Sequence, residues 1–384
     1  MQIVTSTSEL DVLTARLSRG AYVTIDTEFM RDATYWPKLC LVQLAGEGTE
    51  AIVDPLADGI DLAPLLALLA ETRVVKVFHA ARQDIEIFFH LTGEIPAPVF
   101  DTQVAAMVCG FGDSVAYDTL ARQLAGADID KSSRFTDWSR RPLSEKQLTY
   151  ALGDVTHLRT VYAELARRLE ATGRADWLAE EMAVLTSPET YRLDPATAWK
   201  RLKLRSQNRR FLAIAAEVAA WREVEAQKRD LPRPRILKDE AITEVAASAP
   251  ESVAELSQLR AVPRGIAEGR MGEAILKAVA RAKALPKHEL PEAGEPRARA
   301  EAPAHVVELL KVLLRIKAEA HGVAAKLIAS SADLEKLALD DGAAIPALAG
   351  WRREIFGAEA IELKHGRLLL GLDEGRLFTA PRPR

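Results

Sequence analysis

The hydrophobic period of this chain changes once, and that change limits the folds open to it. Over roughly the first hundred residues, short runs rich in Val, Ile and Thr alternate with helical ones; beyond them the pattern is almost wholly helical. QIVT, YVTIDTEF at 22–29, LCLVQLA at 39–45 and EAIVD at 50–54 read as strands, with Gly or Pro nearby. Three successive strands before the first helix, DLAPLLALLAE, imply an antiparallel or mixed start to a sheet. VVKVFHA at 74–80 reads as a strand and ARQDIEIFFHLTG as a helix closed by Gly93, so βαβ units follow. From Asp101 to about Leu185 the period is helical, with one long segment from Ser144, an N-cap residue type, to Leu169. The expectation is an α/β domain over 1–190, a mixed sheet flanked by helices that crowd its C-terminal end.

The rest of the chain reads as all-α. A linker and connecting helix at 191–207 carries Pro195 and then turns basic, and amphipathic helices separated by Pro and Gly fill 208–285. PKHELPEAGEPRARAEAP at 286–303 has too little apolar content to pack and reads as a flexible linker. Residues 304–384 repeat the helical plan less cleanly, as a diverged internal duplication would. Their last stretch, IELKHGRLLLGLDEGRLF, reads more like a short hairpin than a helix, because Gly366, Gly371 and Gly375 interrupt the period. A chain of 384 residues exceeds the length at which one core keeps growing, which agrees with several domains.

Several functional classes drop out on composition. The N-terminus MQIVTSTSEL has neither a basic nor an apolar region of the secretory kind. The longest apolar run, at 62–70, is far short of the roughly 20 residues that cross a bilayer. A cytoplasmic protein without membrane contact is expected. Two cysteines, Cys40 and Cys109, make no disulfide framework or zinc site alone, and both lie in apolar runs as core thiols do. The net charge of −4 hides a concentration of twelve Lys and Arg against four acids between Lys200 and Lys238, either a solvated helical face or a surface for a polyanion.

The strand YVTIDTEF sets Asp26 and Glu28 two apart, so both side chains leave one face of the sheet. Like charges so placed repel, and burial makes them costly unless a cation or a proton neutralises them. Asp84 opens a helix after the VVKVF strand, where an acid often does no more than complement the macrodipole. Tyr150 and Asp154 are one turn apart on a helix face. Each alone has an ordinary structural reading. Together they have one chemical sense, because phosphodiester hydrolysis with two divalent ions needs a cluster of hard oxygen ligands and a group that orients water.

With these residues in place the sequence resembles a known family: the DEDD-type 3′→5′ exonucleases, in the subgroup with a tyrosine in the third motif, and within it ribonuclease D. I-D-T-E-F at 25–29, H-A-A-R-Q-D-I-E at 79–86 and Y-A-L-G-D-V at 150–155 are similar to the three motifs, with 56 residues from Glu28 to Asp84 and 66 from Asp84 to Tyr150. T-E-F-M-R at 27–31, Y-W-P-K-L-C-L-V-Q-L-A at 35–45, F-D-T-Q at 100–103 and D-W-S-R-R-P-L-S at 137–144 extend the likeness over essentially the whole chain. The resemblance implies a ribonuclease H-like catalytic domain followed by two HRDC-like helical domains, at 208–285 and 304–384. The last of these is expected to pack on the catalytic domain and complete a ring-shaped architecture.

The resemblance further implies a monomeric exoribonuclease that releases nucleoside 5′-monophosphates from RNA, with tRNA precursors and other small structured RNAs as substrates. Asp26, Glu28, Asp84 and Asp154 would hold two divalent cations, Mg²⁺ or Mn²⁺. Asp26 would bridge them, and Tyr150 would position the attacking water. Glu28 would also meet the terminal 3′-hydroxyl. Phe29, Met30, His79, Arg140 and Arg141 are candidates for contact with substrate, as is the basic stretch 200–238; Gln43 and Asp101 are expected to support the site. A DNA exonuclease on the same catalytic fold and a non-catalytic RNA-binding adaptor are the alternatives.

Overall fold

The computed structural model describes residues 1–204, 206, 208–292 and 302–383, so part of the expected linker at 286–303 lies outside the described residues. The chain divides into two compact units. The first contains Met1–Glu28, Leu39–Thr190 and the C-terminal segment; the second contains Phe29–Lys38 and the segment that starts at Tyr191.

The first unit is built on a six-stranded sheet of β1 (Gln2–Val4), β2 (Tyr22–Met30), β3 (Lys38–Gly46), β4 (Thr49–Val53), β5 (Val75–Phe78) and β6 (Val99–Asp101), in the order β1-β4-β3-β2-β5-β6. β2, β5 and β6 run parallel, as do β1 and β4, whereas β3 and β4 pair antiparallel through a two-residue hairpin in which Gly48 takes a left-handed φ of 61°. The mixed sheet is therefore as expected. β2 lies inside it, and its Val23, Thr24 and Ile25 are completely buried.

The start of the chain departs from the sequence reading. Helix α1 (Thr7–Leu17) separates β1 from β2, so the strands do not follow one another directly. Its signal is nonetheless present: Ser6 caps the Glu9 N–H, and Leu10, Leu13 and Leu17 are spaced to share one buried face. Helices α2 (Ala63–Ala70) and α3 (Arg82–Thr92) lead into and out of β5, and α4 (Thr102–Val108) and the short α5 (Tyr117–Leu120) follow β6.

The expected long helix is two, α6 (Glu145–Thr156) and α7 (Leu158–Thr172), followed by α8 (Ala175–Leu185). Ser144 does open α6, in a capping box with Gln147. At the break, His157, the Thr156 hydroxyl lies 2.9 Å from both Leu152 O and Glu50 Oε2, and a hydroxyl shared with the carbonyl four residues back bends a helix. Residues 126–144, expected to be helical, are largely a loop with one 3-10 turn at Lys131–Ser133.

The C-terminal segment of this unit holds helices Ala304–His321, Ala325–Ile328, Ser331–Leu339 and Ala358–Lys364, then an antiparallel hairpin, Leu368–Asp373 with Arg376–Pro381. It packs against α8 as expected, with the rings of Trp177 and Trp351 stacked at 4.2 Å. The second unit centres on α9 (Arg209–Arg229), capped by Asn208, with Ile214, Val218, Ile242, Val245, Ile275 and Val279 in its core. The Phe29–Lys38 arm joins that unit through Tyr35, whose hydroxyl donates to buried Glu223 at 2.5 Å, while Asp230 accepts the Tyr35 and Trp36 N–H groups. Among the described residues no helix is long and apolar enough to cross a membrane.

Candidate active site

Strand β2 delivers Asp26 and Glu28, and α6 delivers Asp154, so that one carboxylate oxygen from each lies within 4.8 Å of the others. The fourth acid, Asp84, stands in the first turn of α3 and is buried. Two devices hold it there. The Thr27 hydroxyl donates to its Oδ1 at 2.5 Å. Asp101 accepts the N–H groups of Ala80 at 3.0 Å and Ala81 at 2.8 Å, as well as those of Gln103 and Val104 at the start of α4. Those bonds hold Ala80 in the left-handed region at φ 59°, an unfavourable backbone for a residue with a Cβ, and so fix the turn from β5 into α3.

The cluster is electrostatically frustrated. Burial lifts the Asp26 carboxyl to about 7. Burial and then the charges of Asp26, Asp154 and Asp84 push Glu28 up to about 10, against the pull of the Arg134 guanidinium. Asp84 and Asp154 are also held well above the carboxylate range, by burial and then by Asp26. Tyr150 lies one turn from Asp154 along α6, and burial beside these acids raises its hydroxyl far above its ordinary value. Four hard oxygen donors that repel one another without a counter-charge in contact are the donor set a divalent cation requires, so the residues fit such an ion.

The other expected residues are distributed less simply. Phe29 and Met30 are the last two residues of β2, both half-buried. The His79 Nδ1 meets Thr102 Oγ1 at 3.0 Å, its ring lies 5.6 Å from Tyr117, and its Nε2 is buried with no hydrogen-bond partner among the described residues. Gln43 is completely buried.

Arg141 corrects the expectation of a phosphate contact. All five of its N–H donors are taken, by both oxygens of Asp54 at 2.6 Å and by the carbonyls of Cys40, Trp138 and Arg140 at 2.8 Å. Arg140 is exposed and pairs with Asp137 at 3.1 Å. Much of the basic stretch turns inward as well: Arg210 caps the carbonyls of Ala282, Lys283 and Leu285, Arg222 binds Leu237 O and Asp239, and Arg233 grips Glu223. Two residues to which the sequence assigns no role bear on the acids, Thr27 by its bond to Asp84 and Arg134 by its charge. Thr27 is marked in the sequence by its place between two acids, and Arg134 by nothing, since it lies on a loop distant in sequence.

Family models agree with this architecture. One described as a 3′-5′ exonuclease matches residues 1–170, and one described as the HRDC domain matches 211–279. Ribonuclease D of Gluconacetobacter diazotrophicus is 54% identical over 379 residues, covering 99% of this chain and 96% of its own. The chain belongs to the ribonuclease D family. Ribonuclease D of Nitrobacter hamburgensis is 52% identical with full coverage of both chains. The crystal structure of Escherichia coli RNase D, described as an exoribonuclease involved in structured RNA processing, superposes with a TM-score of 0.81 at 30% identity, covering 95% of this chain and 98% of that one. Like the family, this chain is a 3′→5′ exoribonuclease.

Proposed function

We propose that this enzyme trims the 3′ ends of tRNA precursors and other small structured RNAs one nucleoside 5′-monophosphate at a time, with Asp26, Glu28, Asp84 and Asp154 holding two divalent cations. The observation that carries the reading is the convergence of β2 and α6 on carboxylate oxygens within 4.8 Å, with Asp84 tethered beside them. Cations held there would supply Lewis acidity to the scissile phosphate and to its attacking water. The chain's own groups do the rest. Tyr150, one helical turn from Asp154 on α6, would be a hydrogen-bond partner for that water. Glu28, two residues along β2 from Asp26, would also meet the terminal 3′-hydroxyl, which would restrict the site to chain ends.

The helical unit supports an RNA substrate. A cleft of about 720 Å³ in it is lined by Arg235, Lys238 and Arg260 along with Glu240 and Glu244. Among the described residues these three basic side chains make no hydrogen bond or ion pair, so they are available to a phosphate backbone. We read the C-terminal segment as a second, diverged HRDC-like module. Its long helix, four-residue helix Ala325–Ile328 and third helix Ser331–Leu339 repeat the plan of α9, Arg233–Ile236 and Asp239–Ser248. The same reading makes the protein a cytoplasmic monomer.

The test is a 5′-labelled, 3′-extended tRNA and a matched single-stranded DNA, incubated with Mg²⁺, Mn²⁺ or EDTA. One-nucleotide laddering of the RNA that stops with EDTA and in Asp26→Ala is the expected result. Preferential laddering of the DNA would move the substrate class, and turnover that survives EDTA would overturn the metal reading.

A further inference from the structure

Between α5 and α6 the loop at 126–144 carries a pair of residues that neither the fold nor the acid cluster uses. Of its four cations, Lys131 pairs with Asp118 at 2.7 Å, Arg140 with Asp137 at 3.1 Å and Arg141 with Asp54 at 2.6 Å. Among the described residues Arg134 makes no ion pair and no side-chain hydrogen bond. Its charge nevertheless acts on both Glu28 and Asp154, so it stands near the carboxylates without neutralising them by contact. Beside it is Phe135, 90% exposed and the most exposed large hydrophobic side chain among the described residues. The Arg134 guanidinium lies over that ring, 5.2 Å from its centroid.

The loop that presents this pair is anchored on both sides of it. Ser133 is buried, and its carbonyl accepts the Thr136 hydroxyl at 2.8 Å. Gln147 of α6 in turn donates to Thr136 Oγ1 at 3.0 Å. Trp138 is buried and packs on Tyr150, ring centroids 6.1 Å apart and planes inclined by 30°, so the loop is tied to the helix that carries Tyr150 and Asp154. An apolar ring held out into water by an ordered loop is unfavourable unless something covers it, and a cation beside it selects what can. A nucleobase has a π-face for the ring, and its phosphate has a charge for the guanidinium.

We propose that Arg134 and Phe135 seat the 3′ end of the RNA: the Phe135 ring stacks on one of the last two bases, and Arg134 binds a phosphate of the same terminal segment. The inference rests on the reading of the acid cluster as the active site. It makes Phe135 a source of affinity that tolerates any base, because stacking does not read base edges. It also replaces Arg141, whose donors are all occupied, with Arg134 as the arginine that meets phosphate.

Binding is measured in the Asp26→Asn background by fluorescence anisotropy, with single-stranded RNA oligonucleotides carrying an abasic nucleotide at each of the last four 3′ positions in turn. Phe135→Ala weakens binding of intact RNA about tenfold, and Phe135→Trp restores it. An abasic nucleotide at one of the last two positions costs the unaltered ring about the same factor and costs Phe135→Ala nothing further. Arg134→Ala lowers the slope of log affinity against log salt by about 0.7, the value for one phosphate on a single strand, and Arg134→Lys keeps it. Losses from Phe135→Ala and the abasic position that multiply, coupling that falls farther from the end, or an unchanged salt slope would overturn the proposal. Turnover is assayed in parallel on the chain with Asp26 intact. Coupled binding without metal-dependent turnover would leave the seat standing and remove the active-site reading; normal turnover with uncoupled binding would do the reverse.

Discussion

Asp26 shows how one residue can be bad for the fold and necessary for the chemistry. It is the acid whose charge bears on Glu28, Asp84 and Asp154, so removing that charge relieves its repulsion with each of the other three. Asp26→Asn should therefore melt no lower than the unaltered protein in EDTA while exonuclease activity falls by about a hundredfold or more. Mn²⁺ should raise the melting temperature of the unaltered protein and leave that of Asp26→Asn nearly unmoved. A large loss of thermal stability in Asp26→Asn without metal would show that the acid is structural. Tyr150→Phe keeps the ring that lies over Trp138 and loses only the hydroxyl, so we expect turnover to fall about 10²-fold with RNA affinity retained. Single-turnover rates at saturating enzyme check this. At this scale the four acids and the tyrosine were legible, because strand alternation and helical spacing place Asp26 with Glu28 and Tyr150 with Asp154. Thr27 and Arg134 were not, since only the tertiary fold brings the one to Asp84 and the other near Glu28.

Among the elements, the loop before α6 depends on Arg141, which joins it to Asp54 at the end of β4 and to the Cys40 carbonyl of β3. Arg141→Met would leave a largely buried carboxylate and several carbonyls without partners, a loss of about 3–5 kcal/mol by analogy with other broken buried pairs. Urea midpoints at neutral pH measure it. The Asp54 carboxyl, although burial opposes it, is held below its usual value by the Arg141 bonds. A depressed folded-state pKa contributes stability above the unfolded value of about 3.9, and that contribution is lost as pH falls through the lower folded value. The gap between the unaltered protein and Asp54→Asn should accordingly narrow as pH drops below about 4, and a gap that widened would refute the assignment. The elements also mark where sequence patterns fail. The hydrophobic spacing of α1 was present but stood between two clear β-runs. The α6–α7 break falls beside the Thr156 hydroxyl, which meets Glu50, far away in sequence.

At the scale of the whole molecule, the first unit gathers two ends of the chain, and the contact is chemically specific. Arg174, Trp177, Trp351 and Arg352 pack as two stacked indoles with a guanidinium on each: Arg174 lies 4.8 Å from the Trp177 ring, the indoles are 4.2 Å apart and within 8° of parallel, and Arg352 lies 4.4 Å from Trp351. The guanidiniums are also tied down, Arg174 to the carbonyls of Gly322 and His321 and Arg352 to Glu180, Glu181 and Leu327 O. Helical periodicity made the C-terminal segment legible as helices, and the interrupting glycines foretold its hairpin. The tryptophan stack could not be read from sequence, because Trp177 and Trp351 are ordinary amphipathic-helix residues until the two segments meet. Since each indole packs on the other, their effects on stability should not add. Trp177→Ala and Trp351→Ala should each cost about 3–5 kcal/mol, and the double variant should cost less than their sum by about 0.5–1.5 kcal/mol, the aromatic pair's share. Urea denaturation of the full chain, followed by far-UV circular dichroism, gives all three values. Strict additivity would mean that the segment folds without leaning on α8, and the packing described between them would then contribute nothing to stability.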